Sequence, residues 1–245
     1  MKILLFKPLL IVGMLLMLWQ MVAALGSFPH YIFPSPQAVG QQLFTHAELL
    51  WQHTQVTLLE ICLGLLLGFL FGLISALLLS FSRQISAVLL PILVISQAIP
   101  VFAIAPLLVL WFGYGMASKI VMSVLIIYFP VTAACYDELR NTPQAWLDLA
   151  KTFNISPLRL LLKVRLPAAL PAFASGLRIA VSVAPIGAVV GEWVGSSEGL
   201  GYLMIHANAR MQVDLMFAAL LILVSISLCL YFSIDRLLHR FIWSV

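Results

Sequence analysis

Residues 57–81 read TLLEICLGLLLGFLFGLISALLLSF. The stretch holds one charged side chain, Glu60, and no proline, and Gly64, Gly68, Gly72, Ala76 and Ser80 recur at every fourth position. At 1.5 Å per residue a helix of this length reaches about 37 Å, more than the roughly 30 Å of a bilayer's hydrocarbon core. A soluble helix needs a polar face, and this one has none, so lipid is its solvent and its backbone must satisfy its own hydrogen bonds. The small residues share one face. There a second helix can approach closely, and packing replaces the hydrophobic drive that lipid abolishes. That second helix belongs either to the same chain or to another subunit.

Working outward, the rest of the chain repeats the pattern. Of 245 residues, 63% are hydrophobic and 9% charged, with a mean hydropathy of +1.10. A soluble domain carries about 25% charged residues, so a water-covered surface is excluded. Further stretches long enough to cross a membrane cover residues 9–25, 87–110, 118–135, 171–194 and 215–238. The expectation is an all-α membrane protein, one transmembrane domain over residues 1–245 with six helices. The first stretch has a rival reading. Lys2 and Lys7 before an apolar run resemble a secretory signal, although no A-x-A cleavage site follows. Cys62, Cys135 and Cys229 form no CxxC pair, so neither a disulfide framework nor a zinc site is suggested. His206 is read as a surface or packing residue, and no metal ligand set is expected.

Lysine and arginine fix the orientation, since they concentrate on the cytoplasmic side. Lys2, Lys7, Arg83, Arg140, Lys151, Arg159, Lys163, Arg165, Arg236 and Arg240 fall on one side; only Lys119 and Arg210 fall on the other. Both termini are therefore expected in the cytoplasm. The net charge of +4 matters by location and is no signal for nucleic acid.

The longest cytoplasmic stretch, residues 136–170, is also the most charged. Thr142 before Pro143 reads as a cap and helix start. Gln144 to Phe153 reads as a short helix with Ala145, Leu149 and Phe153 on one face and Asp148 and Lys151 off it, and Asn154 as a left-handed end. Ser156 and Pro157 open a second short helix, which Pro167 is expected to end. From the residues alone this is equally an ordinary solvated loop.

The sequence Asp148-Leu149-Ala150-Lys151-Thr152-Phe153-Asn154, followed by Leu166-Pro167-Ala168-Ala169-Leu170-Pro171, resembles the EAA loop of ABC-importer permeases. Asp148 stands for the glutamate, Leu149 for the first alanine and Asn154 for the glycine. Further matches follow in order: Phe33-Pro34-Ser35-Pro36, Pro100, Ala105-Pro106-Leu107, Trp111-Phe112-Gly113-Tyr114-Gly115 with Ser118-Lys119, Gly176-Leu177-Arg178, Gly191-Glu192, Gly199-Leu200-Gly201 and Asp235-Arg236. They are similar to the sulfonate, taurine and nitrate branch, and in spacing to the group that imports the pyrimidine precursor of thiamine. Glu60 departs from the branch, which usually carries a basic residue there.

The resemblance implies the type I ABC-importer permease fold, in the bacterial inner membrane, with a cytoplasmic coupling helix formed by Ala145, Asp148, Leu149, Ala150, Phe153 and Asn154. It implies as partners two ATPase subunits, a periplasmic or lipid-anchored binding protein and a second copy of this chain. The chain itself is expected to be non-catalytic and to bind no cofactor. The solute is expected to be a thiamine pyrimidine precursor, or alternatively an aliphatic sulfonate, taurine or a nitrate-like anion.

Other residues carry a mechanical reading. Pro91, Pro100 and Pro106 in the third stretch suggest a broken helix, tolerated beside a cavity. Ser96 and Gln97 between them, with Pro100, either face a translocation path or bond to a packed neighbour. Ser182, Pro185 and Gly187 would let the fifth stretch kink beside that path. Arg178 and Glu192, in or at the edge of it, each need a partner or water, since an intramembrane charge costs about 2.5–3.5 kcal/mol. Arg178 reads as a structural anchor. Glu192 either lines an outer gate on the path or sits among the headgroups. No G-x-x-x-x-G-K-[ST] phosphate loop occurs, so energy from ATP must come through a partner. A secondary transporter would show inverted repeats or acidic pairs deep in its spans, and an intramembrane enzyme a buried nucleophile and base. No such pattern stands out.

Overall fold

The computed structural model describes residues 2–26, 29 and 31–242, without the side chains of 2–9, 83, 241 and 242. The side chains of Lys2, Lys7 and Arg83, all counted in the expected charge bias, lie outside what is described, as does Val245. All regular structure among the described residues is helical: α1 (Lys2–Leu25), α2 (Pro36–Thr45), α3 (Ala47–Phe81), α4 (Arg83–Ala98), α5 (Val101–Phe112), α6 (Met116–Arg140), α7 (Gln144–Thr152), α8 (Pro157–Leu160), α9 (Leu166–Gly195), α10 (Leu200–Ala209) and α11 (Val213–Ile242).

Among the described residues, four rods are long and apolar enough to cross a membrane: α3, α6, the rod from Pro157 to Gly195, and α11. The third apolar stretch is a bent pair, α4 and α5, meeting at 99°. The break falls at Ile99 and Pro100. Pro91 and Pro106 sit inside their helices. The described apolar part of α1, Leu10–Leu25, is shorter.

The helices extend a few residues beyond most of the expected stretches, and two departures have a specific cause. First, α3 starts at Ala47, ten residues before the apolar run, because its polar first turns have partners: Leu50 and Thr54 are buried against the body. Second, Pro167 does not end a helix. The turn before it, Leu161–Arg165, is a π turn, and the Leu166 amide reaches back to the Leu161 carbonyl. The widened turn absorbs the donor that proline lacks, and α8 runs on into α9.

At the centre lies α6, held between α3 and α9. A Cβ on Gly64 would come within 2.5 Å of Ser123 Cβ, one on Gly68 within 2.7 Å of Ile127, and one on Gly72 within 2.9 Å of Val131. The stripe of small residues, with Ala76 fully buried, thus lies against α6 of the same chain. On the opposite side a Cβ on Gly187 would come within 2.8 Å of Ser123 Cα, and one on Gly176 within 2.8 Å of Ala134 Cβ. Ile61, Leu65, Ile127, Val131, Val181 and Ala184 fill the spaces between the close approaches. A second layer packs α2, α10 and α11 around Val39, Leu50, Leu200, Leu203 and Leu215. Arg178 on α9 meets Asp235 on α11 at 2.6 Å, so the anchor is an ion pair between two long helices. α1 touches this body through Trp19, whose indole N–H donates to the Pro34 carbonyl at 3.0 Å and whose ring lies 6.0 Å from Phe217.

Candidate functional site

The chemistry-bearing residues gather at two opposite ends of the central rods. At the end where α6 stops and α9 begins, α7 stands out from the body. Thr142 does not cap it. Its hydroxyl donates instead to the Leu139 carbonyl at 3.1 Å, closing α6, and α7 starts at Gln144. The far end of α7 is locally determined. Asn154 is left-handed at φ 50°, its amide bonds the Lys151 carbonyl at 2.9 Å, and the Ile155 amide bonds the Ala150 carbonyl at 3.2 Å. This double closure is the ending that a left-handed residue after a helix provides.

Of the six expected coupling residues, Ala150 is buried against the body; Ala145, Asp148, Leu149, Phe153 and Asn154 are exposed. Leu149 is 59% and Phe153 72% exposed. Trp146, not singled out by sequence, joins them at 49%. Large apolar groups on a short polar-flanked helix outside the long rods are an uncovered contact surface. Asp148 is tied within its own helix, accepting from Lys151 Nζ at 2.8 Å and Gln144 Nε2 at 3.0 Å. The Lys151 ammonium, then the Gln144 amide, hold its carboxyl below the usual range.

At the opposite end, four helices share a buried polar cluster. Glu60 on α3, Lys119 on α6 and Glu192 on α9 are all nearly inaccessible. Lys119 Nζ lies 2.6 Å from Glu60 Oε1 and donates to Ser196 Oγ at 2.9 Å. The Thr57 hydroxyl donates to Glu192 Oε1 at 2.5 Å and accepts the Leu200 amide at 2.8 Å. The Gly201 amide donates to Glu192 Oε2, and the Gly199 amide donates to His53 Nδ1 at 2.9 Å. Three successive amides at the start of α10, which no helix can satisfy internally, are therefore met by side chains of α3 and α9. A carboxylate is well placed there, against the positive end of the helix. Gly199 is required: it sits at φ 112°, and a Cβ would run into the Glu192 carboxylate.

Sequence reasoning missed His53 and Thr57 and did not pair Glu60 with Lys119. For Glu60 and Lys119 the signal was a lone charge in each apolar stretch, which needs a counterion, though the sequence does not say which turns face each other. Glu192, expected on a path or among headgroups, is held in this cluster at 1% exposure. The other path candidates lie elsewhere. Ser96, Gln97 and Pro100 are exposed along the α4–α5 elbow, and Ser182 is exposed on α9. The hydroxyls of Ser96 and Ser182 are tied to their own helices, at 2.7 Å to Leu93 O and 2.8 Å to Ile179 O. Among the described residues, no three His, Cys, Asp or Glu side chains converge as a metal site would require.

Comparison with known proteins gives a consistent picture. Residues 68–243 match the model of the family described as binding-protein-dependent transport system inner membrane component. The chain is 97% identical over its full length to a Haemophilus influenzae protein named "Probable ABC transporter permease protein", covering all of it. It is 37% identical to the formylaminopyrimidine transport permease protein ThiX of Halalkalibacterium halodurans, with 94% of this chain and 92% of that one covered. It is 32% identical to a Bacillus subtilis protein named "Putative aliphatic sulfonates transport permease protein SsuC", with 96% and 85% covered. Among solved structures, a chain of the MetNI methionine ABC transporter in an inward-facing conformation superposes with a TM-score of 0.67. The identity is 21%, with 80% of this chain and 97% of that chain covered, a likeness of fold.

Proposed function

This chain belongs to the family of binding-protein-dependent transport system inner membrane components, and from that premise we propose that it is the membrane-crossing half of an ATP-driven importer whose ATPase is a separate subunit. That it is a multi-pass ABC permease follows from the family. The proposal adds how the parts work. The single observation that carries it is α7, a short helix with Trp146, Leu149 and Phe153 exposed outside the bundle. A groove on an ATPase subunit would cover them, and closure of paired ATPases would push α7 against the rods. Six spans, with α4 and α5 counted as one, put both termini and α7 in the cytoplasm and the α10 cluster on the outer side, facing a binding protein. Two copies of the chain enclose the path, with the exposed elbow residues Ser96, Gln97 and Pro100, together with Ser182, along it. Glu192 acts behind the path, holding α10.

For the solute we propose a pyrimidine precursor of thiamine. The support is a relative named for formylaminopyrimidine transport at 37% identity, together with the spacing noted in the sequence; a relative named for riboflavin transport matches at the same 37%, and one named for aliphatic sulfonates at 32%. Purification of the chain with its genomic neighbours, followed by uptake in proteoliposomes, tests both levels. An ATPase subunit should co-purify, and uptake should need ATP and a binding protein that holds an aminopyrimidine. ATP-independent uptake would return the chain to the secondary transporters. A taurine- or sulfonate-loaded binding protein would overturn the solute alone.

A further inference from the structure

Beside the π turn, between the ends of α3 and α6 and the start of α4, lies a basin of about 560 Å³. Leu79, Ser80, Phe81, Ser86, Ala87, Tyr136, Arg140 and Arg165 line it, with no carboxylate among them. Tyr136 and Ser86 join their hydroxyls at 2.5 Å across one wall. Two buried polar atoms at its edge have no partner, Ser80 Oγ and Arg165 Nε. The π turn, a feature frequent at functional sites, is what brings Arg165 here. Against the basin, sharing Leu79 and Tyr136 with it, lies a second hollow of about 180 Å³ between α4 and α6. It is a mostly apolar furrow lined by Leu90, Leu93, Val94, Phe129 and Ala133, and also by Thr132 and Asp137.

We propose that this pair of hollows is a phospholipid site, with the phosphodiester between Arg140 and Arg165 and an acyl chain in the furrow. Two guanidiniums and the hydroxyls of Ser80 and Ser86 offer the donors that a phosphate's oxygens accept, and arginine's fork suits that geometry. A free anion would use the basin and leave the furrow without purpose; a lipid uses both. The position also fits, since the basin sits where long apolar helices end, at headgroup depth. Only the leaflet, the cytoplasmic one, rests on the orientation proposed above. Occupancy itself does not.

The test is native mass spectrometry of the purified complex, delipidated by detergent exchange and then titrated with phosphatidylglycerol, phosphatidylcholine or inorganic phosphate. Phosphatidylglycerol should be retained through delipidation and rebind best. Arg140→Gln and Arg165→Gln should each weaken it on the order of fivefold, whereas Arg159→Gln, on α8 and outside the basin's lining, should not. Ala133→Phe, which fills the furrow and keeps both arginines, should weaken it too, so the outcome does not hang on a charge deletion that disturbs folding. Three results would overturn the proposal: lipid retention unchanged in Arg140→Gln, Arg165→Gln and Ala133→Phe; inorganic phosphate binding as tightly as lipid and indifferent to Ala133→Phe; or release of the ATPase subunit by Arg140→Gln and Arg165→Gln with lipid retention intact, which would make the basin a protein contact. Transport is not among the readouts, so failure here would leave the importer function untouched.

Discussion

At the residue scale, the cluster around Lys119 makes the sharpest demand. One ammonium faces Glu60 at 2.6 Å and stands in the field of Glu192, all three side chains being buried. Removing the cation leaves buried carboxylate charge without compensation, a change that costs about 3–5 kcal/mol. Lys119→Met should therefore lower the thermal midpoint of the purified protein markedly. Adding Glu60→Gln to Lys119→Met should recover much of that loss, because the stranded charge is then gone. Equal destabilisation by the single and the double variant would show that packing, and not charge, sets the cost. The sequence exposed both members of this pair but gave no register to join them: α3 and α6 meet through glycines, and spacing along the chain does not say which turn faces which. Glu192 was legible as a costly residue. Its partners were not, because they are backbone amides of α10 and a threonine hydroxyl, neither of which carries a sequence signal.

At the element scale, local chemistry was read well wherever a turn determines itself. Asn154 adopts the left-handed end that its type favours; the cap that Ser35 gives α2 by accepting the Ala38 amide at 3.2 Å was not read from the sequence. Reading failed where a neighbour decides: Thr142 turned back to α6, and Pro167 was absorbed by a π turn. Two predictions belong here. A Cβ on Gly187 would meet the Ser123 backbone, which cannot give way as a side chain can, whereas nothing lies within 4 Å of the position on Gly40. Gly187→Ala should thus cost about 1–3 kcal/mol by overpacking, and Gly40→Ala should stabilise by up to about 1 kcal/mol through helix propensity. Paired unfolding measurements check the contrast, and a neutral Gly187→Ala would mean that α6 and α9 separate readily. The other concerns α7. Asp148→Lys places a cation beside Lys151, and Leu149→Asp removes an apolar contact worth roughly 1.5–3 kcal/mol when buried. Together they should abolish binding of the ATPase subunit or uncouple hydrolysis from uptake, with membrane insertion unchanged. Wild-type uptake and assembly in that double variant would take the coupling role away from α7.

At the scale of the whole molecule, membrane class was legible from composition; against six expected stretches, four rods and one bent pair among the described residues are long and apolar enough to cross, and their arrangement was not legible, since lipid-facing and helix-facing surfaces are equally apolar in the sequence. Topology is checked with a reporter active only in the periplasm. Fused after Val245 it should be silent, and inserted at His46 it should be active; an active C-terminal fusion would reverse the assignment of α7 to the cytoplasm. Assembly is checked by native mass measurement of the purified complex, which should contain two copies of this chain and two ATPase subunits. A second, different permease chain would replace the homodimer with a heterodimer. The buried cluster also imposes an order in time. Of the helices that build it, α3 leaves the ribosome first, and Glu60 is made before its counterion. When α6 emerges, Lys119 can neutralise it, and only then is there a low-energy seat for α9. Glu192 and the start of α10 arrive last and fasten a neutral pair already in place. A nascent chain halted between α3 and α6 thus carries a buried carboxylate whose counterion does not yet exist.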